Sequence, residues 1–252
     1  MQGVESPEIW LNLSRLLTVL FTAFIGYTTY QTHLLLKQIE LDFNVLLSVP
    51  ETVVRLGLVG LCLLLAWLSG QPAAALGFAP PGGWQPVALA IGAGVVIQLM
   101  VNGVTGLAIK LLGRNIYSPR LVLNILPKSH REWPLVALAF IPPVLMEELL
   151  FRSLWLGLFA GGAVPLALLV AVTSVIFGLM HQPQGRLGMV VAGGINIIFC
   201  LLFVWTGQLL VTFLAHYTVN LLQVVFAYHQ REWLLAYQQQ STANCIDKKV
   251  AE

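Results

Sequence analysis

Residues 133–159 read WPLVALAFIPPVLMEELLFRSLWLGLF, an apolar stretch that is interrupted by charge. The stretch is long enough to cross a bilayer, since a transmembrane helix needs about 20 apolar residues. Glu147, Glu148 and Arg152 lie inside it. A charged side chain at mid-bilayer costs about 2.5–3.5 kcal/mol on insertion scales, so these charges need each other, water or a ligand. The segment is therefore the first place to look for a functional site.

The composition of the whole chain indicates a membrane protein. Of its 252 residues, 58% are hydrophobic and 10% are charged, whereas a soluble domain has about 25% charged residues. We predict an all-α, polytopic membrane helix bundle with about seven transmembrane helices, formed as a single domain by residues 1–252. The net charge of +2 is too small to suggest nucleic acid as a partner. The predicted helices are 13–36, 52–69, 85–109, 133–159, 164–182, 188–206 and 208–228.

The fourth of these helices contains a proline pair, Pro142-Pro143. Proline removes a backbone hydrogen bond and clashes with the preceding turn. We predict that the helix is broken at the pair, with the two glutamates soon after the break. Small residues elsewhere are expected to allow close helix contacts; they are Gly92, Gly94, Gly103, Gly106, Ala192, Gly193 and Gly194.

Lysine and arginine predict the orientation of the bundle. They are concentrated in the loop 110–132, and an excess of these residues marks cytoplasmic loops. Seven helices then place the N-terminus outside and the C-terminal tail, residues 229–252, in the cytoplasm of a plasma or inner membrane. The other residues expected on the cytoplasmic side are Lys37, Arg186, Arg231, Lys248 and Lys249, with Arg15 near the opposite border.

The three charged side chains between positions 147 and 152 form one ion pair and leave one carboxylate unpaired on its own helix. Glu148 and Arg152 are four residues apart, the spacing of an ion pair within a helix. Glu147 points about 100° away from Glu148 and has no cation on its own helix. A structural ion pair accounts for Glu148 and Arg152, but it does not account for Glu147, for which we expect a function.

Two histidines and an asparagine lie in the later apolar segments. His181 follows Phe177 by one helical turn, so the aromatic ring is expected to hold the imidazole. His216 and Asn220 are also one turn apart and together can bind one oxygen. Each residue could also have a purely structural role. His181 could be a polar residue at a helix end, and His216 and Asn220 could form hydrogen bonds between helices.

Taken together, these residues form a set suited to hydrolysis. A carboxylate and a histidine can hold and deprotonate water, and a histidine with an asparagine can stabilise an oxyanion. A zinc site with His181, His216 and Glu147 as ligands is the alternative, although no HExxH helix supports it. The predicted depths of Glu147 and His181 differ: Glu147 lies about 20 Å below the cytoplasmic end of a straight helix, whereas His181 lies near the cytoplasmic end of its helix. A cavity that is open to the cytoplasm and admits residues 181–187 would bring the two side chains to the same depth.

Three segments in order, EELLFR, FGLMH and HYTVN, resemble the EExxxR, FxxxH and HxxxN motifs of the CPBP intramembrane proteases. This family is also known as the Abi or type II CAAX prenyl endopeptidase family. The resemblance covers residues 133–228, which we take as the catalytic core.

The resemblance implies an all-helical protease that cleaves a membrane-associated peptide or protein without a metal cofactor. Glu147 and His181 would activate water, and His216 and Asn220 would form the oxyanion hole. Glu148 and Arg152 would support the site. Two rivals are a non-catalytic membrane partner or immunity-type protein of the same family, and a transporter. The transporter is disfavoured because the polar residues are concentrated in the second half of the chain, whereas inverted repeats would place them in both.

Overall fold

The computed structural model describes residues 7–38, 43–80, 82–113, 116–162 and 164–250, with side chains except those of residues 7, 37 and 241–250. Arg114 and the side chains of Lys37, Lys248 and Lys249, which the predicted orientation uses, are outside this description. The helices are α1 (Pro7–Gln38), α2 (Val49–Leu68), α3 (Gln85–Leu112), α4 (Arg120–Ile125), α5 (Glu132–Ala139), α6 (Ile141–Glu148), a π-helix (Leu149–Leu156), α7 (Gly157–Phe159), α8 (Leu166–Met180), α9 (Gly185–Thr206), α10 (Leu209–His229) and α11 (Arg231–Val250).

The bundle is all-α, as the sequence predicts. Within the described residues, six stretches are long and apolar enough to cross a membrane: Glu8–Leu36, Val49–Leu68, Gln85–Leu112, Glu132–Phe159, Gln182–Thr206 and Leu209–His229. The remaining predicted helix, the fifth (164–182), corresponds to the shorter apolar helix α8. Its 15 residues span about 22 Å, less than the roughly 30 Å of a hydrocarbon core.

The interruption of the fourth predicted helix is narrower than a full break. It consists of Phe140, which separates α5 from α6 and keeps helical dihedral angles (φ −75°, ψ −19°). The Phe140 N–H donates to Val136, and the Val144 N–H donates to Phe140, so hydrogen bonds continue across the interruption. Pro142 lies in the first turn of α6, where its missing N–H leaves no helical bond unmade. The glutamates therefore stay on a nearly continuous helical column.

Two close helix pairs frame the interior. Helix α3 packs along α10, and α8 packs along α9. At Gly94 of α3, a β-carbon would lie 2.6 Å from the Ala215 carbonyl oxygen of α10. Gly178 and Gly193 make the corresponding approach between α8 and α9. The expectation for small residues thus holds at Gly94 and Gly193, whereas a β-carbon added at Gly92, Gly103, Gly106 or Gly194 would have no neighbouring atom within 4 Å.

The two ends of the bundle differ in charge. We call the end where α3 and α10 finish the basic face. Helices α4 and α11 pack at this end. The buried side chains of Leu46, Val122 and Leu234 form part of one apolar cluster there. At the opposite face, Arg15 near the start of α1 donates a hydrogen bond to the Leu158 carbonyl. Helix α1 therefore begins at the face opposite to the one where α10 ends. The segment predicted as a tail forms α11, which buries Leu234 and Tyr237.

Candidate active site

The two adjacent glutamates end α6 and have different surroundings. Glu148 is fully buried, and its Oε2 lies 3.2 Å from Nε of Arg152, which is also fully buried. This is the ion pair predicted from the four-residue spacing. The side chain of Glu147 remains 27% exposed. The pair therefore neutralises charge in the interior, while Glu147 has access to space beyond the packed core.

Arg152 lies in the π-helix, all eight residues of which are buried. Turns of π-helix are uncommon and occur often at functional sites. The guanidinium carbon lies 5.4 Å from the ring centre of Phe199 and 5.9 Å from that of Phe177. Cation–π attraction therefore supplements the ion pair. Among the described residues, the three guanidinium nitrogens have no hydrogen-bond acceptor in good geometry.

His216 connects the two glutamates. Its Nδ1 donates a hydrogen bond of 2.8 Å to Oε1 of Glu148, because an ionised carboxylate can only accept. Its Nε2 lies 3.6 Å from Oε2 of Glu147. The ring of Phe199 packs against the imidazole, with the two ring centres 5.0 Å apart. The sequence motifs assign His216 to the oxyanion hole and do not indicate this double contact, which is a long-range consequence of how α10 packs beside α6.

His181 caps α8 and is held as the sequence predicts. Its ring stacks on Phe177 with the ring centres 4.5 Å apart. Its Nδ1 is 2.8 Å from the Phe177 carbonyl oxygen, so Nδ1 carries the hydrogen in that bond. The neutral ring then has a free lone pair on Nε2. That atom is suited to accept a proton from water.

His181, His216 and Asn220 line one cavity of about 60 Å³, together with Gln98 of α3. The cavity shares residues with a larger one of about 400 Å³ that extends towards the basic face, where it reaches Tyr117 and Trp233. Burial, with a smaller contribution from Tyr237, raises the pKa of Tyr117 to about 12, so its hydroxyl stays protonated there.

The depth of the site follows from the same contacts. Gln98 lies halfway along α3, so the cavity that it shares with His181 is deep in the bundle. Because α8 is short, its C-terminal end with His181 and the following turn at Gln182–Gln184 reach that level. This arrangement places His181 at the same depth as Gln98, His216 and Asn220, which line the same cavity.

Glu147 reaches this group through His216. Within the described parts of the chain, its ion pair is with His216, and no direct ion pair joins it to His181. The same parts contain no group of three His, Cys, Asp or Glu side chains placed to hold a metal ion.

Comparison with known proteins connects this site to a family. Residues 129–222 match the family model described as Type II CAAX prenyl endopeptidase Rce1-like. The resemblance inferred from the three motifs is confirmed. The matched segment contains all six motif residues, from Glu147 to Asn220. The family is one of proteases and therefore supports a CAAX-type intramembrane protease kind of function. The chain has no match among curated proteins or among solved structures.

Proposed function

We propose that the chain is an endopeptidase that hydrolyses a peptide bond of a membrane-associated peptide or protein. The observation that carries this proposal is the shared cavity of His181, His216 and Asn220, with His216 bound to one glutamate and in contact with a second. The family match over residues 129–222 supports the reaction class.

In the proposed first step, a water molecule between Glu147 and His181 attacks the scissile carbonyl carbon. One proton moves from the water to the Glu147 carboxylate as the new C–O bond forms, and the carbonyl electrons move to oxygen. The free Nε2 lone pair of His181 accepts a hydrogen bond from the same water and aligns it. The exposed position of Glu147 suits this role, since the carboxylate has to reach water.

The oxyanion is stabilised from α10. Asn220 donates through its amide, and His216 donates through Nε2 once that nitrogen is protonated, because its other nitrogen is already bound to Glu148. Glu148, itself held by Arg152, positions the imidazole. When the C–N bond breaks, the proton held by Glu147 passes to the leaving amine, which restores the carboxylate.

The test uses purified protein in detergent and three fluorogenic probes. They are an S-farnesylated C-terminal peptide, the same peptide without the lipid, and an internally quenched transmembrane peptide. We expect wild type to cleave at least one probe and Glu147→Gln to lose at least about 100-fold in kcat with an unchanged melting temperature, because an amide cannot take a proton from water. Glu51→Gln, at a partly exposed i,i+4 pair with Arg55 that lines neither cavity, is the control and should keep full activity.

Full activity of Glu147→Gln, or no cleavage of any probe by folded wild type, would overturn the proposal. Metal analysis of the same active sample separates it from the zinc alternative. We expect no stoichiometric metal and no loss of activity with chelators. One zinc per chain, with activity lost on its removal and restored on its return, would favour metal-dependent cleavage.

A further inference from the structure

Gln98 has a buried oxygen that nothing in the described protein satisfies. The residue lies in the middle of α3 and is 1% exposed. Its Nε2 donates a hydrogen bond of 2.9 Å to Oδ1 of Asn102, one turn further along. Its Oε1 has no hydrogen-bond partner among the described residues. An unpaired buried acceptor is costly, so its presence suggests that a donor arrives from outside the protein.

The position of Gln98 places this residue beside the candidate active site. Gln98 lines the small cavity with His181, His216 and Asn220, and it also lines the larger cavity. One turn earlier on α3, Gly94 contacts the backbone of Ala215, the residue before His216. This close approach fixes the distance between the middle of α3 and the catalytic part of α10.

Polar residues continue from Gln98 along the same side of α3. Asn102 and Thr105 follow at helical spacing and line the larger cavity, opposite Gln223 of α10. Gln98 and Asn102 are separated by a helical rise of about 6 Å, close to the roughly 6.6–6.8 Å between equivalent groups of an extended peptide, and Thr105 follows about 4.5 Å further on. A peptide lying along α3 would thus pass Gln98 and Asn102 at positions about two residues apart.

We propose that Gln98 is a substrate-binding residue whose Oε1 accepts a hydrogen bond from a backbone N–H beside the scissile bond. The substrate segment lies extended along α3, between α3 and α10. This inference deepens the proposed function and rests on it. It assigns a role to the part of the chain before residue 129, which the family match does not include.

The division of hydrogen-bonding groups favours an N–H as the donor. In the proposed reaction, His216 and Asn220 donate to the scissile carbonyl, and Glu147 and His181 bind the water. The peptide N–H groups near that carbonyl have no acceptor among those four. Backbone groups within a membrane-embedded site must be satisfied, since bulk water is absent. Gln98 supplies the missing acceptor through Oε1, because its Nε2 is already bonded to Asn102.

The experiment compares Gln98→Met with Leu99→Met, a change on the same helix at a residue that is 56% exposed. With the fluorogenic probe that wild type cleaves fastest, Gln98→Met should raise KM about tenfold and leave kcat within about twofold, the effect of one lost hydrogen bond. Leu99→Met should change neither. Melting temperatures of both variants should stay at the wild-type value.

A set of backbone N-methylated probes then identifies the contact. Each probe has one N–H near the scissile bond replaced by N-methyl. One position should raise KM about tenfold for wild type and have no further effect on Gln98→Met, because the same hydrogen bond is already lost. If Gln98→Met does not fold, Gln98→Leu replaces it. An unchanged KM, or the same N-methyl penalties in both proteins, would overturn the inference.

Direct binding separates this inference from the proposed function. Fluorescein-labelled versions of the three probes are titrated with wild type and Gln98→Met, and anisotropy is measured. Binding that depends on Gln98, without cleavage, would retain the Gln98 contact and reject the protease reaction. Cleavage that proceeds equally well in wild type and Gln98→Met would retain the protease reaction and reject the Gln98 contact. Absence of both binding and cleavage would reject both.

Discussion

At the residue scale, His216 is the junction of the candidate site. Its Nδ1 binds Glu148 and its Nε2 faces Glu147. A neutral imidazole with its hydrogen on Nδ1 can only accept at Nε2, whereas the protonated ring donates there. With His216 protonated, the two carboxylates are matched by two cations, the other being Arg152. A buried cluster without net charge avoids an uncompensated desolvation cost, and this state is the one that can stabilise an oxyanion.

The buried pair next to His216 leads to a stability prediction. Glu148→Gln leaves Arg152 buried without a counter-charge, which costs about 3–5 kcal/mol when one partner of such a pair is removed. We expect a large drop in melting temperature in detergent, measured by thermal unfolding. The double variant Glu148→Gln/Arg152→Met removes both charges and should recover part of the loss. Equal losses in the single and double variants would show that the pair is not the source of the stability.

At the element scale, the approach of α3 to α10 makes Gly94 the most restrictive of the small residues. A β-carbon there would lie 2.6 Å from both the Ala215 carbonyl oxygen and Cβ of Thr218. Neither neighbour is the end of a flexible side chain, so the helices have to separate. Because Ala215 precedes His216, that separation also moves the part of α10 that carries His216 relative to Gln98.

Alanine substitutions in α3 test this contact. Gly94→Ala should cost about 1–3 kcal/mol, as overpacking does, and should also lower peptide hydrolysis. Gly92→Ala and Gly103→Ala are matched controls on the same helix, since nothing lies within 4 Å of their added methyl groups. They should be neutral or should gain about 0.5–1 kcal/mol from the better helix propensity of alanine. Melting temperature and activity are measured for all three. A loss that is as large at Gly92 as at Gly94 would contradict the packing argument.

The sequence predicts the long helices well because hydropathy and length determine them. It also predicts the Glu148–Arg152 pair and the Phe177–His181 stack, since both follow from spacing within one helix. The π-helix carries no recognisable signal in the residues 149–156. The contact of His216 with both glutamates depends on packing between distant segments. Gln98 is a single amide in an apolar helix, and such residues are common. Whether its oxygen has a hydrogen-bond partner depends on the packing around it, which the sequence does not indicate.

At the scale of the whole molecule, the short helix α8 determines the topology. It starts after Phe159, at the face where Arg15 contacts Leu158, and its end leads to Gln184, whose carbonyl oxygen accepts from the Ser118 N–H on the basic face. Helix α8 and the turn after it therefore connect the two faces, although α8 itself is only 15 residues long and ends at the level of Gln98. We predict seven passages, with the start of α1 and the end of α10 at opposite faces.

We predict the membrane orientation from the charges. Lys110, Arg120, Lys128 and Arg131 lie at the basic face, and an excess of positive residues is typical of cytoplasmic loops. We predict that single cysteines introduced at Gln184 and at Gln71 react from opposite sides of the membrane. The background carries Ala at Cys62 and Cys200 and Ser at Cys245. In sealed vesicles with a membrane-impermeant maleimide, Gln184→Cys should react only from the cytoplasmic side, through the large cavity, and Gln71→Cys only from the other side. Reaction of both cysteines from one side would mean that α8 does not cross, and the face of the cavity would have to be reassigned.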